Sequence, residues 1–492
     1  MVKKLIYIFG VCIIIIYSFF TLSPNFNPEF NSDGAVTVLM TYDFNLPHDL
    51  YFWGQNRAGS LIPLFGQVFY RLFDLRPITA VSLSYYFFLI LGFLSFLQLF
   101  KNYFSKIIFC IAWFLPFFLF NDLIWYTIGL QYCLIGISIF LLNKIQEPFI
   151  KKTHWKNLLI LLILSFVFLI SFWVSDLSII SILILIVIFS WFELRKYILK
   201  VKYIYILFLI LGAAFSLWIT SYFKKYSITK TLHYESINNF KESLAAIKII
   251  FKSIYNYLSF NSNDTILTLS VYCIFIVIIC IFYYIVRRKF NINKNISKWL
   301  IFFTCDIIII FSTLIFSHWV YLNDVARRYF VSTYISSTIF ILIFIEYLTI
   351  KKKHVINLQI LIILTVVICA LSNEYHFKYV APKTTKPIIE TVGEFKTLGN
   401  IGLIAGYWKA YISSAADPEF IKATPHDKDE VRNYELVSKV FSQPNIYVIR
   451  DQWMDYFPDT LNQFGYVLLK DGNQILIANC MICRYKILKN NN

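Results

Sequence analysis

The sequence predicts an α-helical polytopic membrane protein of about eleven transmembrane helices, with a C-terminal extracytoplasmic α/β domain. Three observations carry this expectation. Apolar runs long enough to cross a bilayer, which takes about 17–25 residues, recur over residues 1–371. Of the 492 residues, 58% are hydrophobic and 15% charged, where a soluble domain carries about 25% charged residues. Past Leu371 the long runs give way to short strand-like and amphipathic segments. The spans must be helical, because lipid offers the backbone no hydrogen-bond partner.

The opening run, MVKKLIYIFGVCIIIIYSFFTLS, has the basic start of a signal peptide. Its apolar core is long and no A-x-A-like site follows, so it reads as a retained first span. Basic blocks then mark alternate connections. Lys3 and Lys4 precede the first span, and Lys101 and Lys106 follow the second, which begins near Pro77. Lys144, Lys151, Lys152 and Lys156 separate the fourth span from the fifth, and Arg195, Lys196, Lys200 and Lys202 the sixth from the seventh. Arg287, Arg288, Lys289, Lys294 and Lys298 separate the eighth from the ninth, and Lys351 to Lys353 follow the tenth. Every second connection is thus short and basic, which places the N-terminus in the cytoplasm and the C-terminal domain outside. The net charge of +17 belongs largely to these anchors, so the partner it implies is the lipid bilayer and not nucleic acid. The Ile-, Asn- and Lys-rich usage hints at an AT-rich bacterial genome.

The outer connections are residues 23–77, turns at Asn121–Asp122 and Ser175–Asp176, residues 223–263, residues 317–333, and everything after about 372. Two of them contain amphipathic helices. In the first loop, Leu61, Leu64, Phe65, Val68, Phe69, Leu72 and Phe73 recur at helical spacing, with Gln67 and Arg71 opposite. In the fourth, Leu244, Ile247, Ile250, Phe251 and Ile254 form an apolar face suited to the outer membrane surface. The domain over 372–492 reads as strands in NIGLIAGYW and NIYVIRD and a hairpin turning at Asp471–Gly472. Helices lie in TTKPIIETVGEFKTL and RNYELVSKVFSQ. Of the nine cysteines only Cys480 and Cys483 form a close pair. With no second pair or nearby His, that pair reads as a disulfide or as two unpaired thiols on a strand.

The residues able to do chemistry gather in the outer connections. Asp33 lies about ten residues beyond the first span, where a carboxylate in a folded loop can act as a general base toward a hydroxyl. Its competing role is a helix N-cap, with Ser32 or Asp33 opening GAVTVLMTY. Arg327 and Arg328, beside Tyr329, could grip a phosphate through paired hydrogen bonds; they would equally suit an interfacial anchor. Arg57 is a second phosphate candidate, and Lys224 and Lys225 a third. Asp122 and Asp176 each sit near a Trp at membrane-surface depth, a carboxylate and aromatic plate that suit a sugar, although aromatic belts need no such purpose. His48 and Asp49, and Trp408 beside Tyr407, are further candidates for acceptor or sugar contacts. His48–Asp49 and His233–Glu235 lack convergent neighbours, so no cofactor is assigned and a divalent metal is disfavoured. Asp306 is the one acid clearly inside a span, where acids usually have a role or a partner.

The early Asp33–Gly34, the stretch GQNRAGSLIPLFGQVFYRLF, the late DVARRYF and the C-terminal GLIAGYWKAY together resemble the GT-C glycosyltransferases. The resemblance implies a polytopic enzyme using a polyprenyl-phosphate-linked sugar, with Asp33 as the catalytic base of an inverting transfer. It implies that Arg327 and Arg328 hold the departing phosphate and that the acceptor is an envelope glycan, lipid or protein. One departure stands out: many GT-C members carry two adjacent acids in the first loop, and here the second position is Gly34. Two other readings remain open at this level, a lipid-linked glycan transporter or flippase and a non-catalytic envelope scaffold.

Overall fold

The computed structural model of the chain describes residues 2–27, 30–145, 154–196, 200–226, 236–262, 264–287, 294–347, 352–376, 379 and 388–490. His233 and Glu235, and the anchors Lys151, Lys152, Arg288, Lys289 and Lys351, lie outside the described residues.

After α1 (Val2–Leu22) the first loop folds into α2 (Ser32–Tyr42) and α3 (Leu61–Phe73). The bundle continues with α4 (Pro77–Phe96), α5 (Tyr103–Phe114), α6 (Thr127–Lys144), α7 (His154–Val174), α8 (Leu177–Lys196) and α9 (Lys200–Phe223). The connection over residues 223–263 contains α10 (Phe240–Leu258). Then come α11 (Thr265–Arg287), α12 (Lys294–Phe316), a short α13 (His318–Leu322), α14 (Val331–Glu346) and α15 (Lys352–Tyr375). Among the described residues eight helices are long and apolar enough to cross a membrane: α1, α4, α7, α9, α11, α12, α14 and α15. The chain is a multi-pass membrane protein. The expected eleven spans would need α5, α6 and α8 as well, whose apolar stretches run only 10–17 residues.

Asp306 explains how part of this bundle is pinned. It is fully buried in α12 and accepts hydrogen bonds from Tyr132 of α6 (2.5 Å), Ser181 of α8 (2.6 Å) and Ser336 of α14 (2.6 Å). Four helices thus meet at one carboxyl, and three buried hydroxyls are satisfied where no water is available to them.

The first loop is folded, as its pattern predicts, and it is fastened to the bundle. Trp173 of α7 donates its indole N–H to the Leu50 carbonyl at 2.7 Å, and Tyr51 donates to the Thr220 carbonyl of α9 at 3.2 Å. In α3, Leu61, Ile62 and Pro63 are buried, whereas Val68, Leu72 and Phe73 are exposed. That exposed apolar face suits the bilayer.

The C-terminal domain contains α16 (Ile388–Phe395), β1 (Ile401–Ala405), α17 (Tyr407–Ala416), β2 (Ile421–Pro425), α18 (Glu435–Phe441) and β3 (Asn445–Ile449). β4 (Thr460–Gln463), β5 (Tyr466–Lys470), β6 (Ile475–Ile477) and β7 (Cys480–Asn490) follow. The seven-stranded sheet runs β2-β1-β3-β7-β5-β4, with β6 also paired to β7. β1 is parallel to β2 and β3, and the other pairs are antiparallel. The hairpin expected at Asp471–Gly472 does not form, because β5 and β6 each pair with the long β7 instead of with each other. The tight turns fall at Phe464–Gly465 and Ala478–Asn479, all four residues at positive φ, as two-residue hairpin turns demand. Cys480 and Cys483 are both buried on β7 and are not joined to each other in a disulfide.

Helix α17 joins this domain to the bundle. Tyr411, Ile412, Ala415 and Ala416 share one buried apolar core with Val36, Leu39 and Met40 of α2. Arg76, just ahead of α4, donates to the Ala416 carbonyl at 2.9 Å. The sheet domain is therefore packed over the first loop.

Candidate functional site

The site is built around the first turn of α2. Asn31 is the N-cap, its side chain accepting from the Gly34 amide at 2.9 Å. Neither Ser32 nor Asp33 caps the helix, so the Asp33 carboxylate is not taken up by its own backbone. Gly34 has a steric reason to lack a side chain, since a Cβ there would lie 2.7 Å from the Phe30 ring. A second acid at this position has no room in this packing.

Asp33 instead faces Arg328, with a carboxylate–guanidinium separation of 3.6 Å (Oδ2 to Nη1) and side-chain exposures of 15% and 26%. Arg328 also donates to the Tyr329 hydroxyl at 3.4 Å, while its buried Nε has no hydrogen-bond partner. The guanidinium keeps 26% of its side-chain surface exposed, and its exposed N–H groups are suited to an anion. The preceding turn places Asp324 at φ 51° and Val325 at φ 53°. A β-branched residue there costs on the order of 1–3 kcal/mol, offset by packing Val325 with Tyr329, Phe330 and Ala246 of α10.

Asp122 completes the cluster. It lies in a 3-10 segment over Phe118–Leu123, enclosed by protein although its surface is not fully lost. Burial pushes its carboxyl up to about 6, against the pull of Arg328 and Arg327 and with the push of Asp33. Tyr126 stands near Asp33, Arg328 and Arg57, and burial raises its phenol well above the ordinary range. Arg57 lies over the Trp319 ring at 5.2 Å and donates to Gln55 at 3.3 Å. Arg327 is exposed and stacks over Phe118 at 4.4 Å.

The C-terminal domain closes on this cluster through Tyr407 and Arg432. Arg432 donates to the Tyr407 hydroxyl at 2.7 Å and to the Trp53 carbonyl at 3.1 Å, and both residues feel the Asp33 charge. Burial lifts the Tyr407 phenol to about 12. Gly54, at φ 80°, makes room for this arginine: a Cβ would lie 2.6 Å from Arg432 Cδ.

The remaining candidates are placed differently. Asp176 is paired with Lys224 at 2.8 Å. Asp49 is buried, and its carboxylate accepts from the Asn45 amide and the Trp53 indole, both at 2.7 Å. Asp49 thus shapes the first loop. His48 is exposed in the adjoining turn, and Trp408 is 51% exposed on α17. Among the described residues no group of three His, Cys, Asp or Glu side chains is arranged to hold a metal ion.

Arg432 carries no functional signal in sequence: the stretch RNYELVSKVFSQ that it opens reads only as a helix, which in the structure starts later, at Glu435; the packing of α17 against α2 brings it to the site. Tyr407 is legible only as one half of a Tyr–Trp pair. Asn31 could have been found as the first N-cap residue type in the run NSDG.

No protein-family model matches the sequence, and no curated protein matches it significantly. Solved structures do. The structure of ArnT from Cupriavidus metallidurans bound to undecaprenyl phosphate aligns over 98% of each chain, at 8% identity and a TM-score of 0.54. An Archaeoglobus fulgidus oligosaccharyltransferase complex with Zn and sulfate aligns over 89% of this chain and 68% of that one, at 10% identity and a TM-score of 0.45.

Proposed function

With the GT-C fold as the premise, we propose that the chain is a membrane glycosyltransferase. It moves a sugar from a polyprenyl-phosphate-linked donor to an acceptor hydroxyl on the extracytoplasmic side of a bacterial inner membrane. The observation that carries this reading is the uncapped Asp33 carboxylate 3.6 Å from the Arg328 guanidinium, with Asp122 alongside. Asp33 takes the proton of the acceptor hydroxyl as that oxygen attacks the anomeric carbon. The bond from that carbon to the phosphate oxygen breaks, and its electron pair leaves with the lipid phosphate, inverting the configuration. Arg328, through the exposed part of its guanidinium, meets the charge that develops on the phosphate, with Arg327, Arg57 and Tyr329 near enough to assist. The C-terminal domain, through Arg432 and Tyr407, closes the acceptor side. A flippase would be expected to concentrate its polar groups at mid-bilayer; here the deep acid Asp306 is consumed by three hydroxyls.

The test compares envelope glycans and lipids by mass spectrometry in a deletion strain carrying either wild type or Asp33→Asn. The deletion should lose one sugar from a defined product, and Asp33→Asn should insert normally without restoring it. Removal of a general base costs about 10²–10⁴-fold in rate. Full restoration by Asp33→Asn would end the catalytic assignment.

A further inference from the structure

Away from Asp33, at the opposite end of α2, an open basin of about 580 Å³ lies between the first loop and the C-terminal domain. Its walls carry Tyr42, Asp43, Tyr70, Arg71, Lys422 and Lys439. Three cations and one carboxylate line it, and that carboxylate, Asp43, is paired with Lys439. Lys422 lies over the Tyr42 ring at 5.2 Å and donates to the Pro418 carbonyl at 2.5 Å. Burial and the neighbouring Lys439 lower its proton affinity against the pull of Glu419, Asp417 and Asp43; Glu419 and Asp417, behind the lining, also act on Tyr42, and Glu419 and Asp74 on Tyr70. The Tyr42 and Tyr70 rings stand 6.1 Å apart at 52°, presenting phenol edges and faces together. Among the side chains that face the basin the cations outnumber the carboxylate, which favours an anion in direct contact with them. Tyrosine rings and polar walls suit a sugar, whose C–H faces pack on rings while its hydroxyls find donors and acceptors.

We propose that this basin binds an acidic saccharide, the part of the acceptor that lies beyond the reacting hydroxyl. The spacing supports that role. From Asp33 in the first turn of α2 to Tyr42 in its last is about nine residues, on the order of 14 Å at the helical rise, within reach of a short oligosaccharide. As an acceptor subsite it rests on the transferase reading; as a binding site it can be tested without turnover, so failure of one is distinguishable from failure of the other.

The experiment measures binding of digalacturonic acid to the full chain in phosphatidylcholine nanodiscs by thermophoresis, with maltose as the neutral control. Wild type should bind the acidic disaccharide on the order of tenfold or more tighter than maltose, and Lys422→Gln/Lys439→Gln should lose that preference. Because Lys439 pairs with Asp43, Arg71→Gln serves as a second variant. It is exposed, leaves that ion pair in place, and should also weaken the acidic probe. Equal binding of both sugars, or variants that bind like wild type, would overturn the proposal. Nanodiscs of phosphatidylglycerol separate the two sources of an anionic group. Unchanged affinity for digalacturonate supports the saccharide, and its displacement would reassign the basin to a lipid headgroup.

Discussion

Replacing Arg328 by Gln removes the guanidinium while keeping the aliphatic stem and a neutral polar end, two atoms shorter. At 3.6 Å from the Asp33 carboxylate, a unit charge at an effective dielectric of about 20 contributes on the order of 4–5 kcal/mol before screening. The side chain keeps 26% exposure, so water reduces that figure. A single positioned donor at a developing anion is worth about 3–4 kcal/mol, or 10²–10³ in kcat. We therefore expect Arg328→Gln to lower kcat by about 10²–10³. Arg328→Lys should recover part of it, since the charge returns without the planar fork. The assay is sugar transfer by purified protein from a synthetic polyprenyl-phosphate donor, with KM and kcat separated. Thermal melting in parallel would establish that the variants fold. A folded Arg328→Gln with kcat within about twofold of wild type would refute the role of this arginine and leave Arg57 or Arg327 to be tried, the scale for comparison being the same single-donor loss.

Three further outcomes follow from the packing. The Asp122 carboxyl is raised to about 6 by burial, so the stability it contributes is present below its unfolded value and is lost as pH rises through about 6. Asp122→Asn should therefore gain stability relative to wild type between pH 4 and pH 8 by thermal melting, and an advantage that is flat across that range would contradict the cause given. Asp306→Leu removes the shared acceptor of Tyr132, Ser181 and Ser336, leaving Ser336 and Tyr132 only their mutual 3.1 Å bond, at a cost of about 1–3 kcal/mol for each hydroxyl left unsatisfied; Asp306→Asn, which can still accept, should melt closer to wild type in detergent. Gly54→Ala places a Cβ against Arg432 at a backbone angle of φ 80°. It should lower activity by displacing Arg432 from Tyr407 and Trp53, and limited proteolysis should show the C-terminal domain loosened from the first loop.

The sequence by itself determined what composition and periodicity can encode. Apolar length specifies helices, because an unpaired backbone cannot lie in lipid, and alternate basic blocks specify which connections share a side. Hence the connections that hold Asp33, Asp122 and Arg328 were recognisable as one set, expected on the same side, and the structure brings these three residues together. The apolar spacing in Leu61–Phe73 and Phe240–Leu258 was likewise sufficient for two surface helices. What the tertiary structure alone decided is who meets whom. Asn31, not Ser32 or Asp33, took the cap, because the helix start depends on where Phe30 and Gly34 pack. Asp49, as polar in sequence as Asp33, turned inward to the Trp53 indole, a choice that local sequence does not express. The strands β5 and β6 chose β7 over each other, since one long strand can pair with both. Arg432 stands near Asp33 across some four hundred residues only because α17 buries its apolar face against α2. Periodicity reports which face of an element is apolar; the partner of that face is selected by shape and by the satisfaction of buried polar groups.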